Sequence, residues 1–266
     1  MRLAHELAAW EGKTVEEWQG RWRTPQLHIL SSTGSTNDDA RALGNAGAPT
    51  GTLVIAEEQT AGRGRRGRTW IDAPGRSLQL SMLLRAPPAG FICLTAAPVR
   101  VGLLLVHALR EQVGLHTQLK WPNDLQVHER KLGGILCESV LDQRPFLVLG
   151  IGINVGQQED DFPPDLRAHA TSITLATGTD CQRTDIAGAF AFQLLARADR
   201  IADRLTQSEL DTFSACDVLR GREIEIDGRP AGTAIGIDPE GALLVRSARG
   251  VTPIHTGTVR TDNAIS

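Results

Sequence analysis

Gly62-Arg63-Gly64-Arg65-Arg66-Gly67-Arg68 follows the apolar strand-like run Leu53 to Glu57 and formally matches G-x-G-x-x-G. In a dinucleotide-binding fold the last glycine of that pattern opens a helix whose N-terminus meets the pyrophosphate. Here the chain runs instead into Trp70-Ile71-Asp72-Ala73-Pro74-Gly75, so the Rossmann reading fails. Four arginines among three glycines do suit an anion clamp. Glycine lets backbone N–H groups approach a phosphate, and guanidinium forks bind it bidentately. A solvated basic loop is the plain alternative. Without a ligand, Thr60 to Trp70 is expected to lack regular structure.

The flanking periodicities set the elements. Leu3, Leu7 and Trp10, then Val15, Trp18 and Trp22, recur at helical spacing and predict two short amphipathic helices. Gln26 to Leu30 reads as a strand, and Ser31 to Asn37, rich in capping residues, opens a helix from Asp38 to Gly44. Strands are predicted over Thr52 to Glu57 and Ser77 to Leu84, with a long apolar helix over Phe91 to Val113. His116 to Trp121, Leu125 to His128, Leu132 to Val140 and Pro145 to Val155 are strands parted by turn signals, which suits an antiparallel or mixed sheet. A helical stretch covers Asp185 to Cys216. Beyond it, Ile224 to Ile226, Thr233 to Ile237, Ala242 to Val245 and Gly257 to Val259 alternate with Gly and Asp turns, the pattern of a small β-barrel. The expectation is an α+β chain with one large domain over 1–216, its short N-terminal helices in 1–25, and a small domain over 217–266.

With 266 residues, 41% of them apolar, 22% charged and a net charge of −3, the chain can bury a sizeable core, which excludes disordered and fibrous classes. Apolar runs such as Val101 to Leu109 fall short of the roughly 20 residues a bilayer span needs. Glu6, Glu11, Glu16 and Glu17 interrupt any signal-peptide pattern. A cytoplasmic protein with no membrane attachment is expected. Cys93, Cys137, Cys181 and Cys216 lie far apart, which argues against zinc and disulfides. Arg supplies 25 of the 28 basic residues, so Lys13, Lys120 and Lys131 stand out.

Two of those lysines fall in motifs. In Leu119-Lys120-Trp121-Pro122-Asn123-Asp124 a strand ends in a lysine before a proline turn, which brings a compact positive charge beside the arginine loop or merely to the surface. Lys131-Leu132-Gly133-Gly134-Ile135 sets two glycines inside a strand, read equally as hairpin packing or as close approach of a ligand. Gly150-Ile151-Gly152-Ile153-Asn154 leaves space in an apolar strand, where Asn154 either meets a ligand or satisfies the backbone.

Together with Ser35-Thr36-Asn37 and Glu58 to Arg68, these motifs resemble biotin protein ligases, in that order and at comparable spacing. The resemblance spans Gln26 to about Val155 by motif and Asp217 to Val259 by the general look of the C-terminal domain. It implies a mixed-sheet catalytic domain of the biotin/lipoate ligase type followed by an SH3-like β-barrel. It also implies a biotin–[biotin carboxyl-carrier protein] ligase that uses ATP and Mg²⁺ to make biotinyl-5'-AMP. The biotinyl group would then pass to a lysine of a carboxylase carrier domain, by default that of acetyl-CoA carboxylase. The family pattern places biotin contacts at Ser35, Thr36, Asn37, Gln59, Arg63, Gly64, Arg65 and Lys120. Lys120 and Arg65 are the expected catalytic residues, Arg65 matching the arginine tied to retention of the adenylate. Arg65, Arg68, Trp70, Asn123, Lys131 and Asn154 are the expected nucleotide contacts, and no metal ligand is singled out. Carboxylate attack on an already anionic phosphorus needs such cations.

Two departures bear on that expectation. The residues before Gln26 are too few for the DNA-binding domain that repressor members carry, so a ligase without DNA binding is expected, as a monomer or weak homodimer. A loop that covers adenine in some members bears a tryptophan, and Gly156 to Thr174 has none. The rival readings are a lipoate or octanoate ligase of the same superfamily and, from another class, an Arg-loop nucleotide- or nucleic-acid-binding regulator. The net charge of −3 and 4% aromatic content offer the regulator little for base stacking.

Overall fold

The structure, a computed structural model, describes residues 3–261, and the last residues of the expected small domain lie outside them. The N-terminus departs from the expected pair of helices. Ala9–Trp10 (β1) and Lys13–Thr14 (β2) form a hairpin, and only Val15–Trp22 (α1) is helical. The Glu11-Gly12 turn takes positive φ at both residues, 42° and 83°, which closes a two-residue hairpin rather than continuing a helix. The preceding stretch donates from Leu7 N–H to Ile29 O at 2.7 Å, while Ser31 N–H donates to His5 O at 2.9 Å, so it lies along the next strand's open edge. Thr14 caps α1 in a reciprocal box with Glu17, and Trp18 and Trp22 stack inside at 5.2 Å.

Leu27–Leu30 (β3), Thr36–Asn45 (α2), Leu53–Ala56 (β4), Ser77–Arg85 (β5), Ala97–Val113 (α3), Gln118–Lys120 (β6), Asp124–Val127 (β7), Arg130–Val140 (β8) and Phe146–Asn154 (β9) follow. Their strands make a seven-stranded mixed sheet in the order β3-β4-β5-β9-β8-β7-β6, parallel only between β3 and β4. The α3 helix starts at Ala97, six residues later than expected, because Pro98 occupies its first turn and Cys93 N–H donates to Ala202 O.

The expected helix over Asp185 to Cys216 is two helices, with a short extra one before them. Ile173–Thr177 (α4) precedes Arg183–Leu195 (α5), and Gln207–Cys216 (α6) comes after a break. The break has a cause remote in sequence. Arg100 of α3, 4% exposed, donates to the carbonyls of Arg200, Ile201, Asp203 and Arg204 and is paired with Glu209, which draws those carbonyls away from helical bonding.

Glu223–Ile226 (β10), Arg229–Ile237 (β11), Leu243–Ser247 (β12), Gly250–Ile254 (β13) and Val259–Thr261 (β14) form an antiparallel sheet in the order β13-β12-β11-β10-β14. The unexpected strand β13 carries Pro253 and is an edge, where a missing N–H costs no ladder bond. Both sheets share one apolar core that includes Leu119, Trp121, Ile224, Leu243 and Val245. Trp121 Nε1 donates to Gly241 O at 2.8 Å across the junction.

Register gives the large sheet a divided face. Opposite residues of an antiparallel pair share a face. Across β5 and β9 the pairs are Leu83 with Val148, Ser81 with Gly150, Gln79 with Gly152 and Ser77 with Asn154. Leu83, Val148 and Phe146 lie with Ala40 and Leu43 of α2 in a small apolar cluster. Beyond that cluster the same face turns polar or bare, and a cavity opens there.

Candidate active site

The cavity, about 200 Å³, is lined by every expected site residue except Asn154. A second cavity of about 750 Å³ adjoins it, and Arg68, Trp70, Lys120, Asp124 and Lys131 line both. Asn154 lies on the second, with Phe162, Leu166, His169 and Ala170.

The floor is made by the glycines. A Cβ on Gly152 would stand 2.5 Å from the Trp70 ring, and one on Gly150 would collide with the Asn37 amide. A Cβ on Gly133 would stand 2.6 Å from Gly152 O, so that glycine serves strand contact, while Gly134 faces the cavity. The question left open by the sequence is thus answered differently for the two glycines. Trp70 sits between the cavities with Lys131 Nζ 5.9 Å above its ring, and its Nε1 is buried without a hydrogen-bond partner.

One wall is a hydrogen-bonded polar group. Thr36 N–H donates to Gln59 Oε1 at 2.9 Å, and the Ser81 hydroxyl lies 2.8 Å from Thr36 Oγ1 and 2.6 Å from Asn37 Oδ1. Gln59 N–H and Gln79 Nε2 both donate to Asp72 Oδ2, at 2.8 and 2.9 Å. Burial raises the Asp72 carboxyl above its usual value, against the bond from Gln59. Ser81, Gln79 and Asp72 were not among the expected site residues. The signal was present, since Ser77, Gln79 and Ser81 alternate with Leu78, Leu80 and Met82 in a run that is wholly buried.

The arginine loop is folded, with one short regular turn in it. Arg65–Gly67 forms a single 3₁₀ turn, Gly64 N–H donates to Arg68 O at 2.7 Å, and Arg63 bridges Thr69. Its arginines divide into two kinds. Arg63 is paired bidentately with Asp38 at 2.6 and 2.7 Å, which lowers the Asp38 carboxyl. Arg66 grips Asp227 in the β10–β11 turn in the same way. Arg65 and Arg68 have no carboxylate partner among the described residues and reach only Asn123, Thr256 and Thr258 at 3.4 Å. Burial, with Arg66 beside it, pulls the Arg65 guanidinium below its usual value.

Lys120, at the end of β6, is held below the usual lysine value by burial, with Lys131, Arg222 and Arg68 adding to the effect and Asp124 opposing it. Lys131 Nζ meets Asp124 at 2.8 Å. Where the cavities meet, three cations, Arg68, Lys120 and Lys131, therefore gather beside Asp124, an arrangement that attracts a polyanion. Asn123 spans this region, donating from Nδ2 to Ile135 O at 2.9 Å and accepting from Arg65. Asn154 is different. Its Nδ2 donates to Thr171 O at 2.9 Å and its Oδ1 accepts from Gln157 at 3.0 Å, so its amide is occupied by the fold. Among the described residues no group of three or more His, Cys, Asp or Glu side chains could hold a metal ion, and no helix is long and apolar enough to cross a membrane.

A mixed sheet carrying a glycine floor, a polar wall and a cationic junction between two cavities suits a ligand with a polar head and an anionic end. Residues 30–155 match the Biotin/lipoate A/B protein ligase family, and the chain belongs to that family. It is 34% identical to the bifunctional ligase/repressor BirA of Bacillus spizizenii, over 87% of this chain and 71% of that protein. To the biotin–[acetyl-CoA-carboxylase] ligase of Mycobacterium tuberculosis it is 32% identical, over 90% of this chain and 89% of the relative. The biotin protein ligase of Aquifex aeolicus, solved in complex with biotin and ATP, superposes with a TM-score of 0.77 at 28% identity, covering 90% of this chain and 100% of that one.

Proposed function

We propose that the protein activates biotin with ATP as biotinyl-5'-AMP and transfers the biotinyl group to a lysine of a biotin carboxyl carrier domain, that of acetyl-CoA carboxylase by default. The observation that carries this reading is the convergence of Arg68, Lys120 and Lys131 on the junction of the two cavities, with Arg65 on the wall of the smaller.

Biotin fits the smaller cavity, its ureido ring against Thr36, Asn37 and Gln59 and its carboxylate toward Lys120. ATP fits the larger, with Phe162, Leu166 and Ala170 as apolar walls for adenine and Arg68, Lys131 and Arg222 near the phosphates. A carboxylate oxygen attacks the α-phosphorus, the bond to the bridging oxygen breaks, and pyrophosphate leaves with the electron pair. Lys120 and Arg65 offset the negative charge of both partners in a partly dehydrated site. Mg²⁺ suits this site, because it takes one or two protein carboxylates beside substrate phosphates, and Asp124, which lines both cavities, and Glu129, which lines the larger, would hold it. It would supply further neutralisation of the phosphates.

In transfer, the carrier amine attacks the acyl carbon, the bond to the adenylate oxygen breaks, AMP leaves, and the amine proton goes to solvent. Lys120 steadies the departing phosphate. The arginine loop, pinned by Arg63–Asp38 and Arg66–Asp227, keeps Arg65 over the reactive anhydride. A cytoplasmic enzyme with a division near 217 and an SH3-like closure of the C-terminal sheet completes the reading.

Biotin-dependent exchange of labelled pyrophosphate into ATP, with lipoate and octanoate as parallel acids, tests the first half-reaction without a carrier protein. Exchange with biotin alone is the expected result. Exchange only with the fatty acids would move the protein to the lipoyl branch of its family.

A further inference from the structure

A side chain that does not line the cavity nevertheless decides how its polar wall is oriented. Asn37, 3% exposed, donates from Nδ2 to Glu138 Oε2 at 2.6 Å and to Leu136 O at 3.4 Å. Glu138 stands on β8 opposite Val148 and is paired with Arg41 Nη2 at 2.8 Å. Arg41 lies one helical turn after Asn37 on α2, so the amide and the counter-ion share a face.

We propose that Glu138, held by Arg41, is a positioning residue that fixes the donor and acceptor pattern of the wall taking the ureido ring; this rests on the biotin reading above. An ionised carboxylate only accepts hydrogen bonds. The end of the Asn37 amide that faces Glu138 must therefore be its NH₂, and Oδ1 must turn to Ser81. The single Ser81 proton is then committed to Asn37 Oδ1 at 2.6 Å, and Ser81 Oγ meets Thr36 Oγ1 as an acceptor.

The far end of the network is fixed by a backbone donor, with a second carboxylate beside it. Asp72 Oδ2 accepts from the Gln59 N–H and from Gln79 Nε2. Gln59 Oε1 takes the Thr36 N–H at 2.9 Å, which leaves Gln59 Nε2 as the free donor of that side chain. Glu138 thus orients the Asn37 amide, the Thr36 N–H the Gln59 amide and Asp72 the Gln79 amide, so each of the three has one allowed orientation. A cyclic urea presents one acceptor and two donors in a fixed order, so it needs a wall that cannot flip. With a glutamine in place of Glu138, the Asn37 amide could turn over, exchanging donor for acceptor beside the ligand.

The test is Glu138→Gln, which keeps the shape and removes the obligatory acceptor, assayed by pyrophosphate exchange with biotin and with iminobiotin, its cyclic guanidine analogue. The variant should raise the KM for biotin about tenfold and shrink the preference for biotin over iminobiotin by a similar factor. The KM for ATP should stay as in the wild type. Ser81→Ala, which removes the hydroxyl answering Asn37, should move the same two quantities, and Glu138→Asp should recover part of the preference. An unchanged biotin preference in Glu138→Gln would overturn the proposal. So would equal rises in both KM values with a lowered melting temperature, since that is what loss of a merely structural contact gives. Failure of the biotin reading itself is recognised separately, because the wild type would then show no biotin-dependent exchange.

Discussion

On one face of β5 stand Leu78, Leu80, Met82 and Leu84, packed against the main core; on the other stand Ser77, Gln79 and Ser81, equally inaccessible to solvent. The two sets belong to one nine-residue strand and share its backbone bonds. Their burial has opposite consequences. Each apolar residue gains by leaving water. Each polar one must find a partner, and these find Asp72, Thr36, Asn37 and Gln157. The polar face is therefore organised for something other than stability, and its neighbours on β9 are the glycines that leave the cavity open.

The comparison can be broken by showing that both faces serve the same end. Lys120→Ala should have the largest effect, a fall in pyrophosphate exchange on the order of 10²–10³-fold with an unchanged melting temperature. Leu80→Ala should do the reverse, destabilising the fold by about 2–5 kcal/mol, read by urea denaturation, while the KM for biotin in the folded fraction holds. Gly152→Ala should displace Trp70 and raise the KM for biotin about tenfold, a change that tryptophan fluorescence would report independently.

A smaller effect concerns a polar group outside the site. Burial raises the Asp217 carboxyl from 3.8 to about 6, and its Oδ2 has no partner. Because the folded-state value is raised, the stability linked to the protonated form is complete below 3.8 and is lost as pH rises through about 6. Asp217→Asn should therefore stabilise the protein by about 2 kcal/mol at pH 8, with the gain vanishing below about pH 4. A gain independent of pH would mean that the carboxyl does not titrate there.

What the sequence disclosed and what it hid follow the same division. Gly62 to Arg68, Lys120 to Asp124 and Gly150 to Gly152 are short segments whose spacing survives folding, and the structure brings all of them to one cavity. Asn154 belonged to the same run, but its amide is consumed by Thr171 and Gln157, partners that only the fold brings near. The break after α5 depends on Arg100, a hundred residues upstream, so helical periodicity alone missed it. Likewise, Leu3, Leu7 and Trp10 recur at helical spacing, yet edge pairing with β3 and the Glu11-Gly12 turn prevail there, while Val15, Trp18 and Trp22 keep theirs in α1. Ser77, Gln79 and Ser81 are individually ordinary residues. Only their alternation within a buried strand marks them, and that mark needs burial to be known.

The most direct measurement is a crystal structure with biotinyl-5'-AMP bound. The bicyclic ring is expected over the Gly150–Gly152 floor, with its urea against Asn37, Thr36 and Gln59, and the phosphate between Arg65 and Lys120. A ligand lying with its phosphate away from Lys120, or with its ring in the larger cavity, would contradict the assignment of the two cavities and of the polar face that lines the first.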